Sequence, residues 1–259
     1  MNPTEFPNGN VNLTKAEGVG TIEFFHPASN SLPGAILKLL AETITTAGAD
    51  EEIRVIVLKS SGQRAFCAGA SFDELMSIEN EAIGKEFFMG FARVINAMRK
   101  APKFIIGRVQ GKTVGGGVGL ASSVDYCFAT KFSSVKLSEL AIGIGPFVVG
   151  PAVERKLGVS GMSQLAIDAS SWRTADWAQS QGLFSQVFET SEEMDEQVDV
   201  LAQSLAKSNP EAMAALKQNF WSGTENWDEL LEERAAMSGK LVLSDFTRNA
   251  ISAFKSGNR

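Results

Sequence analysis

Apolar residues change their spacing repeatedly along the first three-quarters of the chain. Residues 53–58, 104–109 and 124–130 form short, largely apolar runs, which predict buried strands. Over residues 31–47 and 81–99, apolar positions instead recur at helical spacing. Strands therefore alternate with helices, an order that is typical of an α/β domain.

The last quarter of the chain has a different pattern, because its apolar residues keep a helical spacing almost to the end. We therefore predict an α/β core over residues 1–191 and a helical C-terminal region over residues 192–259. With 259 residues, of which 44% are hydrophobic, the chain is long enough to bury a sizeable core. The apolar residues of the C-terminal region either pack on that core or join copies of the chain.

Charge and hydropathy exclude several classes of protein. The net charge is −6 and the basic residues are scattered, which argues against a nucleic-acid-binding protein. No apolar run approaches the ~20 residues that a membrane-spanning helix needs. Residues 1–12 are polar and lack the apolar core of a secretory signal. We therefore expect a cytoplasmic protein that binds neither nucleic acid nor membrane.

The cysteine and histidine content limits the chemistry further. Cys67 and Cys127 do not suggest a disulfide framework, and we expect both to be buried free thiols. The only histidine, His26, precedes a proline at the end of a predicted strand, where a structural or solvent-facing role is expected. A single histidine excludes every multi-histidine metal site, and we predict neither a metal nor a cofactor.

The most distinctive segment is Gly111–Leu120, in which five of ten residues are glycine. Its spacing fits neither the dinucleotide-binding fingerprint nor the phosphate-binding loop. Glycines allow close backbone approach and leave N–H groups free to bind an anion, or a carbonyl oxygen that gains charge during a reaction. Taken alone, the segment is equally compatible with a tight turn that packs a helix on a sheet.

Two further segments are ambiguous in the same way. Ala68, Gly69 and Ala70 precede a predicted helix, where unsatisfied N–H groups collect, although a plain turn capped by Ser71 is the simpler interpretation. Glu139 lies alone in an apolar, glycine-rich segment and is either solvent-facing or buried with a raised pKa. Two segments that each present N–H groups after a strand can converge on one carbonyl oxygen as an oxyanion hole.

In this order, the segments resemble motifs of the crotonase superfamily, the enoyl-CoA hydratase/isomerase family. The resemblance covers roughly residues 20–255. The matching segments are 28–33, 65–71, 111–120, 138–145 and 175–187. The resemblance implies a crotonase-like α/β fold, a spiral of repeated ββα units with a C-terminal helical region for oligomerisation and active-site cover. It also implies an acyl-CoA substrate and a homotrimer or hexamer.

The resemblance further implies roles for individual residues. The backbone N–H groups of Ala70 and Gly116 correspond to the oxyanion-hole donors, and Glu139 corresponds to the catalytic acid/base. The residues that correspond to substrate-binding positions are Ala28, Ala68, Ser71, Phe72, Gly119, Ser138 and Phe147. The candidate cations for the CoA phosphates are Arg64, Lys112 and Lys255.

One departure from the family pattern bears on the reaction. Hydratases of the family usually carry two glutamates, and this chain has Gly119 at the position of one of them. Hydration requires a water to be deprotonated and a proton to be delivered, which two carboxylates divide between them. A single carboxylate can move one proton between two carbons. The resemblance therefore favours a Δ3,Δ2-enoyl-CoA isomerase that uses Glu139 alone.

Other functions stay open at this point. A hydratase would act with Glu139 alone or recruit another acid, with Asp73 and Glu74 as candidates. Dehalogenation, thioester hydrolysis and decarboxylation are less favoured, because His26 lies far from the loops where enzymes of those types usually place a histidine. A non-catalytic acyl-CoA-binding scaffold is a further alternative, and the presence of Glu139 argues against it.

Overall fold

The strands form two sheets in the computed structural model, which describes residues 7–255, with side chains described as far as residue 253. The larger sheet contains β1 (Asn10–Ala16), β2 (Val19–Phe25), β3 (Val55–Ser60), β5 (Ile105–Val109), β7 (Tyr126–Thr130) and β10 (Gln186–Phe188), in that spatial order. The smaller sheet contains β4 (Ala65–Cys67), β6 (Lys112–Val114), β8 (Ser134–Lys136) and β9 (Arg173–Thr174). Neighbouring strands run parallel, except for the antiparallel pairs β1–β2 and β8–β9.

Helices connect and cover these sheets. Those of the first three-quarters of the chain are α1 (Gly34–Ala49), α2 (Phe72–Met76), α3 (Glu81–Lys100), α4 (Gly116–Ser123), α5 (Gly150–Ile167) and α6 (Ala175–Ser180). Those that follow are α7 (Ser191–Ala206), α8 (Pro210–Phe220), α9 (Trp227–Leu241) and α10 (Asp245–Lys255). A single 3₁₀ turn, Leu140–Ile142, lies between β8 and α5.

The chain repeats one unit, in which a strand of the larger sheet is followed by a strand of the smaller sheet and then by helix. The units are β3–β4–α2, β5–β6–α4 and β7–β8–α5. Because β4, β6 and β8 are parallel, the segments that leave them emerge at the same edge of the smaller sheet. This topology brings the segments after Cys67, Val114 and Lys136 together.

The larger sheet is covered on both faces. Ile56, Leu58 and Ile105 point to the main core, and the alternate residues Val57 and Ile106 point to the opposite face. On that opposite face, α7 packs with the side chains of Met194, Val198 and Ala202. The continuous apolar runs of β3 and β5 follow from burial on both sides.

The C-terminal helices extend over the core. Helix α9 lies along α3 so closely that a Cβ added to Gly84 would stand 2.7 Å from the carbonyl oxygen of Gly239. Helix α10 contacts the 3₁₀ turn, since a Cβ added to Gly143 would lie 2.4 Å from Cδ1 of Phe246. The predicted division at residue 191 coincides with the start of α7, but α7 itself packs on the sheet. The division into two regions stays a prediction.

Most elements occur where the sequence predicted them, and three strands were missed. Strand β1 pairs with β2 at the edge of the larger sheet, and its largely polar sequence gave no strand signal. Strand β6 lies inside the glycine-rich segment, and β9 has only two residues. Strand β3 begins two residues later than predicted, and the interruption predicted at Gly158 is a kink with φ 70° within α5.

The structure bears on the predictions about the cysteines and about membrane-spanning helices. Cys67 and Cys127 are both buried and free, as predicted, and burial raises the pKa of each thiol to about 12. None of the helices within residues 7–255 combines the length and the apolar character that crossing a bilayer requires.

Candidate active site

The segment after β4 holds one backbone N–H group in a fixed direction. Gly69 has φ +91°, a conformation that favours glycine, and its carbonyl oxygen accepts a 2.8 Å hydrogen bond from the N–H of Leu32. The trans peptide between Gly69 and Ala70 therefore directs the N–H of Ala70 away from Leu32. Among the described residues, no acceptor contacts this N–H.

The segment after β6 presents a second N–H group at the start of α4. Gly115 has φ +53° and ψ −117°, and its N–H donates to the carbonyl oxygen of Lys136 at 2.9 Å. The carbonyl oxygen of Gly115 accepts from the N–H groups of Val118 and Gly119 and so points into the helix. The N–H of Gly116 consequently points out of the helix N-terminus, and nothing in the described part of the chain accepts it.

Close packing joins these two segments. A Cβ added to Gly69 would lie 3.8 Å from the nitrogen of Gly116 and 3.2 Å from the carbonyl oxygen of Val114. A Cβ added to Gly117 would stand 2.6 Å from the carbonyl oxygen of Cys67. Glycines allow this approach, and the structure thus brings together the two donor segments that the sequence suggested.

Glu139 lies beside the second donor segment. A Cβ added to Gly115 would be 2.9 Å from Oε1 of Glu139. Part of the residue is exposed, but Oε2 is buried and has no hydrogen-bond partner within the described residues. Burial raises the pKa of the carboxyl group from 4.5 to about 7. Of the two environments considered for this residue, the structure has the enclosed one.

Apolar side chains pack near the segments that bear Gly116 and Glu139. The ring of Phe91 packs on Gly116, where an added Cβ would be 2.2 Å from its Cζ. An apolar cluster joins α2, α3, the 3₁₀ turn and the C-terminal helices. Its members are Leu75, Ile78, Ile144, Val242 and Ile251, with Phe72, Met76, Phe87, Phe88, Ile142 and Leu243 packed against them. The cluster forms an apolar wall near the loop that bears Glu139.

Four more of the predicted site residues lie next to Gly69, next to Glu139 or at the start of α2. Ala68 directly precedes Gly69, and Ser138 directly precedes Glu139. Ser71 caps α2 by accepting a hydrogen bond from the N–H of Glu74, and Phe72 begins that helix. Phe147 packs over the backbone of Gly145.

Ala28 lies in an exposed turn, and neighbouring residues tie this turn to the site. The side chain of Asn30 donates to the carbonyl oxygens of Ser61 and Ala65. The hydroxyl of Ser31 donates to the carbonyl oxygen of Ala70 at 2.8 Å. Ser31 lies in the family-like segment 28–33, but no role was predicted for it.

The two acids considered as replacements for a second glutamate differ from Glu139 in their surroundings. Oε2 of Glu74 accepts a 2.8 Å hydrogen bond from the N–H of Gly34 at the start of α1, and Asp73 is exposed. His26 is partly buried, burial lowers its pKa, and its Nδ1 lacks a partner among the described residues. Within residues 7–255, no group of three or more His, Cys, Asp or Glu side chains is placed to hold a metal ion.

Two of the three candidate cations for the CoA phosphates have described side chains, and both are at the surface. Lys112 and Arg64 are both exposed. The ammonium group of Lys112 lies 5.2 Å from the ring centroid of Trp172, and that of Lys136 lies 5.6 Å from it. The side chain of Lys255 is outside the described part of the structure.

The paired sheets, the repeated ββα unit and the glycine-built N–H segments define the crotonase class of enzymes. The chain belongs to the enoyl-CoA hydratase/isomerase family, whose model matches residues 14–256. It is 27% identical over 247 residues to the short-chain-enoyl-CoA hydratase of Clostridium acetobutylicum, covering 95% of this chain and 94% of that protein. It is also 27% identical over 224 residues to the carnitinyl-CoA dehydratase of Salmonella enteritidis, covering 83% and 81%.

Solved structures confirm the fold. The enoyl-CoA hydratase from Bacillus halodurans superposes with a TM-score of 0.86 at 20% identity, covering 94% of this chain and 99% of that chain. The enoyl-CoA hydratase/isomerase from Pseudoalteromonas atlantica has a TM-score of 0.84 at 19% identity, with coverages of 96% and 98%. This chain therefore has the crotonase fold, a mixed α/β structure with a helical C-terminal region, as the sequence predicted.

Proposed function

We propose that this enzyme is a Δ3,Δ2-enoyl-CoA isomerase with Glu139 as its single acid/base. The observation that carries the proposal is the enclosed Glu139 carboxyl group beside the N–H of Gly116, since neither Oε2 nor that N–H has a hydrogen-bond partner among the described residues. Gly119, where hydratases of the family usually have a second glutamate, supplies no side chain. One carboxyl group whose pKa is about 7 suits a proton transfer that must run in both directions.

The first step removes a proton from the substrate. The thioester oxygen of a 3-enoyl-CoA accepts hydrogen bonds from the N–H groups of Ala70 and Gly116. The Glu139 carboxylate takes a proton from C2, and the C2–H electron pair moves toward the thioester oxygen, which produces a dienolate. The two N–H groups stabilise that negative charge, and removing one such donor typically costs about 3–4 kcal/mol.

The second step returns the same proton to another carbon. The enolate electrons move back to form the C2–C3 double bond, and the former C3–C4 π pair takes the proton from Glu139 at C4. The thioester carbonyl is restored, and Glu139 is again a carboxylate. No atom is gained or lost, so the proposed reaction needs no cofactor.

The other predicted residues are proposed to hold the substrate. Ala28, Ala68, Ser71 and Phe72 line the path of CoA, mostly through backbone groups. Gly119, Ser138 and Phe147 face the acyl group. Exposed cations such as Lys112 neutralise the CoA phosphates. The apolar content of the C-terminal helices supports a homotrimer or hexamer.

A hydratase is the second candidate. The specific observation in its favour is that the relatives reported above are named hydratase and dehydratase. In that case Glu139, acting without a second carboxylate, would take a proton from a water molecule whose oxygen bonds to C3. The C2–C3 π pair would move toward the thioester oxygen, and Glu139 would then deliver that proton to C2.

A substrate panel separates these functions. The purified enzyme is given 3-hexenoyl-CoA and, separately, 2-hexenoyl-CoA, and products are identified by absorbance and mass. An isomerase converts the first into a conjugated 2-enoyl thioester, whose mass is unchanged. A hydratase instead adds the mass of water to the second. Binding of either thioester without conversion, and without exchange of C2 protons in deuterated water, would indicate a scaffold and refute the proposal.

A further inference from the structure

The space beside Gly119 is close to the proposed acid/base. The N–H of Gly119 donates to the carbonyl oxygen of Gly115 at 3.3 Å, so the two glycines are one turn apart, about 6 Å along the helix axis. Gly115 is the glycine against which the Glu139 carboxylate packs. A side chain at position 119 would therefore lie about one helical turn from the glycine that contacts the Glu139 carboxylate.

That space is already filled by an aliphatic side chain. A Cβ added to Gly119 would lie 2.5 Å from Cγ1 and 2.8 Å from Cβ of Val149, and 3.7 Å from Cδ1 of Ile95. Val149 is 4% exposed and is fixed at the start of α5, where its carbonyl oxygen accepts from the N–H of Val153. Neither a second acid nor a water molecule fits between Gly119 and Val149 as they stand.

We propose that Val149 is a specificity-determining residue, which restricts the enzyme to proton transfer by excluding water and a second acid from the space beside Gly119. The inference rests on the proposed function, because it assumes that C2 and C3 of the substrate lie next to Glu139. Nothing in the local sequence of Val149 indicates this role, which arises because the start of α5 packs on α4.

Hydration of a 2-enoyl thioester is the reaction that we expect once the space beside Gly119 is enlarged. With a carboxylate introduced at position 119, water loses one proton to that carboxylate while its oxygen bonds to C3 of a 2-enoyl thioester. The C2–C3 π pair moves toward the thioester oxygen as an enolate. Protonated Glu139 then delivers its proton to C2, and the carbonyl is restored. The product is a 3-hydroxyacyl thioester, and proton exchange with solvent resets both carboxyl groups.

The test compares the parent enzyme with Gly119→Glu, Val149→Gly and the double variant. Hydration of 2-butenoyl-CoA is followed by loss of the conjugated thioester absorbance and by product mass. We expect the double variant to hydrate at least about tenfold faster than either single variant, because only it has both the acid and the space. A folded double variant without this gain, or an equal gain from Gly119→Glu alone, would overturn the proposal.

A second measurement does not depend on the fold of the Gly119 variants. Val149→Ala and the matched control Val153→Ala each remove two methyl groups from buried valines, one at the N-cap of α5 and one in its first turn. Isomerisation of a 3-enoyl-CoA in deuterated water should place at least about twofold more deuterium at C4 with Val149→Ala, since water reaches the proton held by Glu139. Equal incorporation in the two variants would contradict the proposed role of Val149.

The two proposals fail in different ways. If the parent enzyme does not isomerise 3-enoyl-CoA, the proposed function is wrong, while the hydration rates of the four proteins still decide whether Val149 controls entry of water. If the parent isomerises 3-enoyl-CoA but the Val149 variants change neither the hydration rate nor the deuterium incorporation at C4, only the proposed role of Val149 is wrong.

Discussion

Glu139 and Asp125 both carry enclosed carboxylates, and their surroundings are opposite. Oε2 of Glu139 lacks a partner among the described residues, and burial moves its pKa to about 7. The side chain of Asp125 is 7% exposed, and its oxygens accept from the N–H of Ile105, the indole of Trp221 and the ammonium group of Lys217, at 2.8, 3.1 and 3.0 Å.

The partners of Asp125 come from two distant parts of the chain. Ile105 belongs to β5, and Lys217 and Trp221 belong to or border α8. The ammonium group of Lys217 also donates to the carbonyl oxygen of Lys103 at 2.8 Å, and burial lowers its pKa. The cluster fastens a C-terminal helix to the larger sheet.

The difference shows how burial serves two purposes in one molecule. A buried charge is tolerated when hydrogen bonds and an opposite charge replace water, as around Asp125. A buried carboxyl group without such partners keeps its proton more readily and can release it at neutral pH, as at Glu139. We therefore expect changes at Asp125 to affect stability, and changes at Glu139 to affect activity.

The largest expected effect is the loss of activity in Glu139→Gln. The amide keeps the shape of the side chain but cannot transfer a proton, so kcat for isomerisation should fall by about 10²- to 10⁴-fold. Steady-state kinetics with a 3-enoyl-CoA measure this change, and a thermal melt serves as the control for folding. Full activity in the variant would remove Glu139 from the mechanism.

The next largest effect is a loss of stability when Asp125 loses its cation. Lys217→Met leaves the buried Asp125 charge without its cation, which should lower the free energy of unfolding by about 3–5 kcal/mol. Chemical denaturation measures the loss, and activity per folded molecule should stay at the parent level. The matched control is Lys38→Met, whose exposed pair with Glu42 should leave the midpoint unchanged. Equal effects of the two substitutions would mean that the Asp125 cluster does not stabilise the fold.

The third effect is a pH-dependent gain in stability for Glu139→Gln. In the folded state the pKa of Glu139 is above its ordinary value of 4.5, so the folded protein binds more protons than the unfolded chain between pH 4.5 and about 7. As the pH rises from 4.5 to about 7, the free energy of unfolding of the parent therefore falls relative to that of the variant. The total fall is about 3 kcal/mol, at about 1.4 kcal/mol per pH unit. Unfolding curves at pH 4.5 and pH 8 check the sign, and a constant difference would refute the raised pKa.

The smallest expected effect tests how an oxyanion donor is positioned. Ser31→Ala removes the hydrogen bond to the carbonyl oxygen of Ala70, and we expect kcat to fall by roughly 2- to 10-fold while KM changes little. Ser163→Ala, which removes a hydroxyl that bonds only within α5, is the matched control. A parallel loss in both variants would indicate general destabilisation instead of a positioning role.

The sequence predicted most of what its local patterns encode. Helices α2 and α3 agree with the prediction to within one residue, since apolar spacing and flanking residues act within a single segment. The two donor segments and Glu139 were found because their motifs are short and continuous. That they lie at one edge could be inferred, because parallel strands precede all three.

Features that depend on contacts between distant segments could not be predicted. The space beside Gly119 is filled by Val149, thirty positions further on, and the sequence of neither segment indicates that contact. The hydroxyl of Ser31 reaches Ala70 only because Leu32 bridges to that residue. Whether Glu139 is enclosed or solvent-facing was likewise decided by packing.

The contact between Gly119 and Val149 also constrains the order in which this chain could acquire a second acid. A mutation that introduces glutamate at position 119 first meets the valine at 2.5 Å and disrupts the core. A mutation that shortens Val149 first leaves only a small cavity, with a cost of about 1–3 kcal/mol that a stable ancestor can absorb. A path from this chain to a protein with glutamate at position 119 should therefore pass through an intermediate in which the valine has already been lost and the acid has not yet appeared.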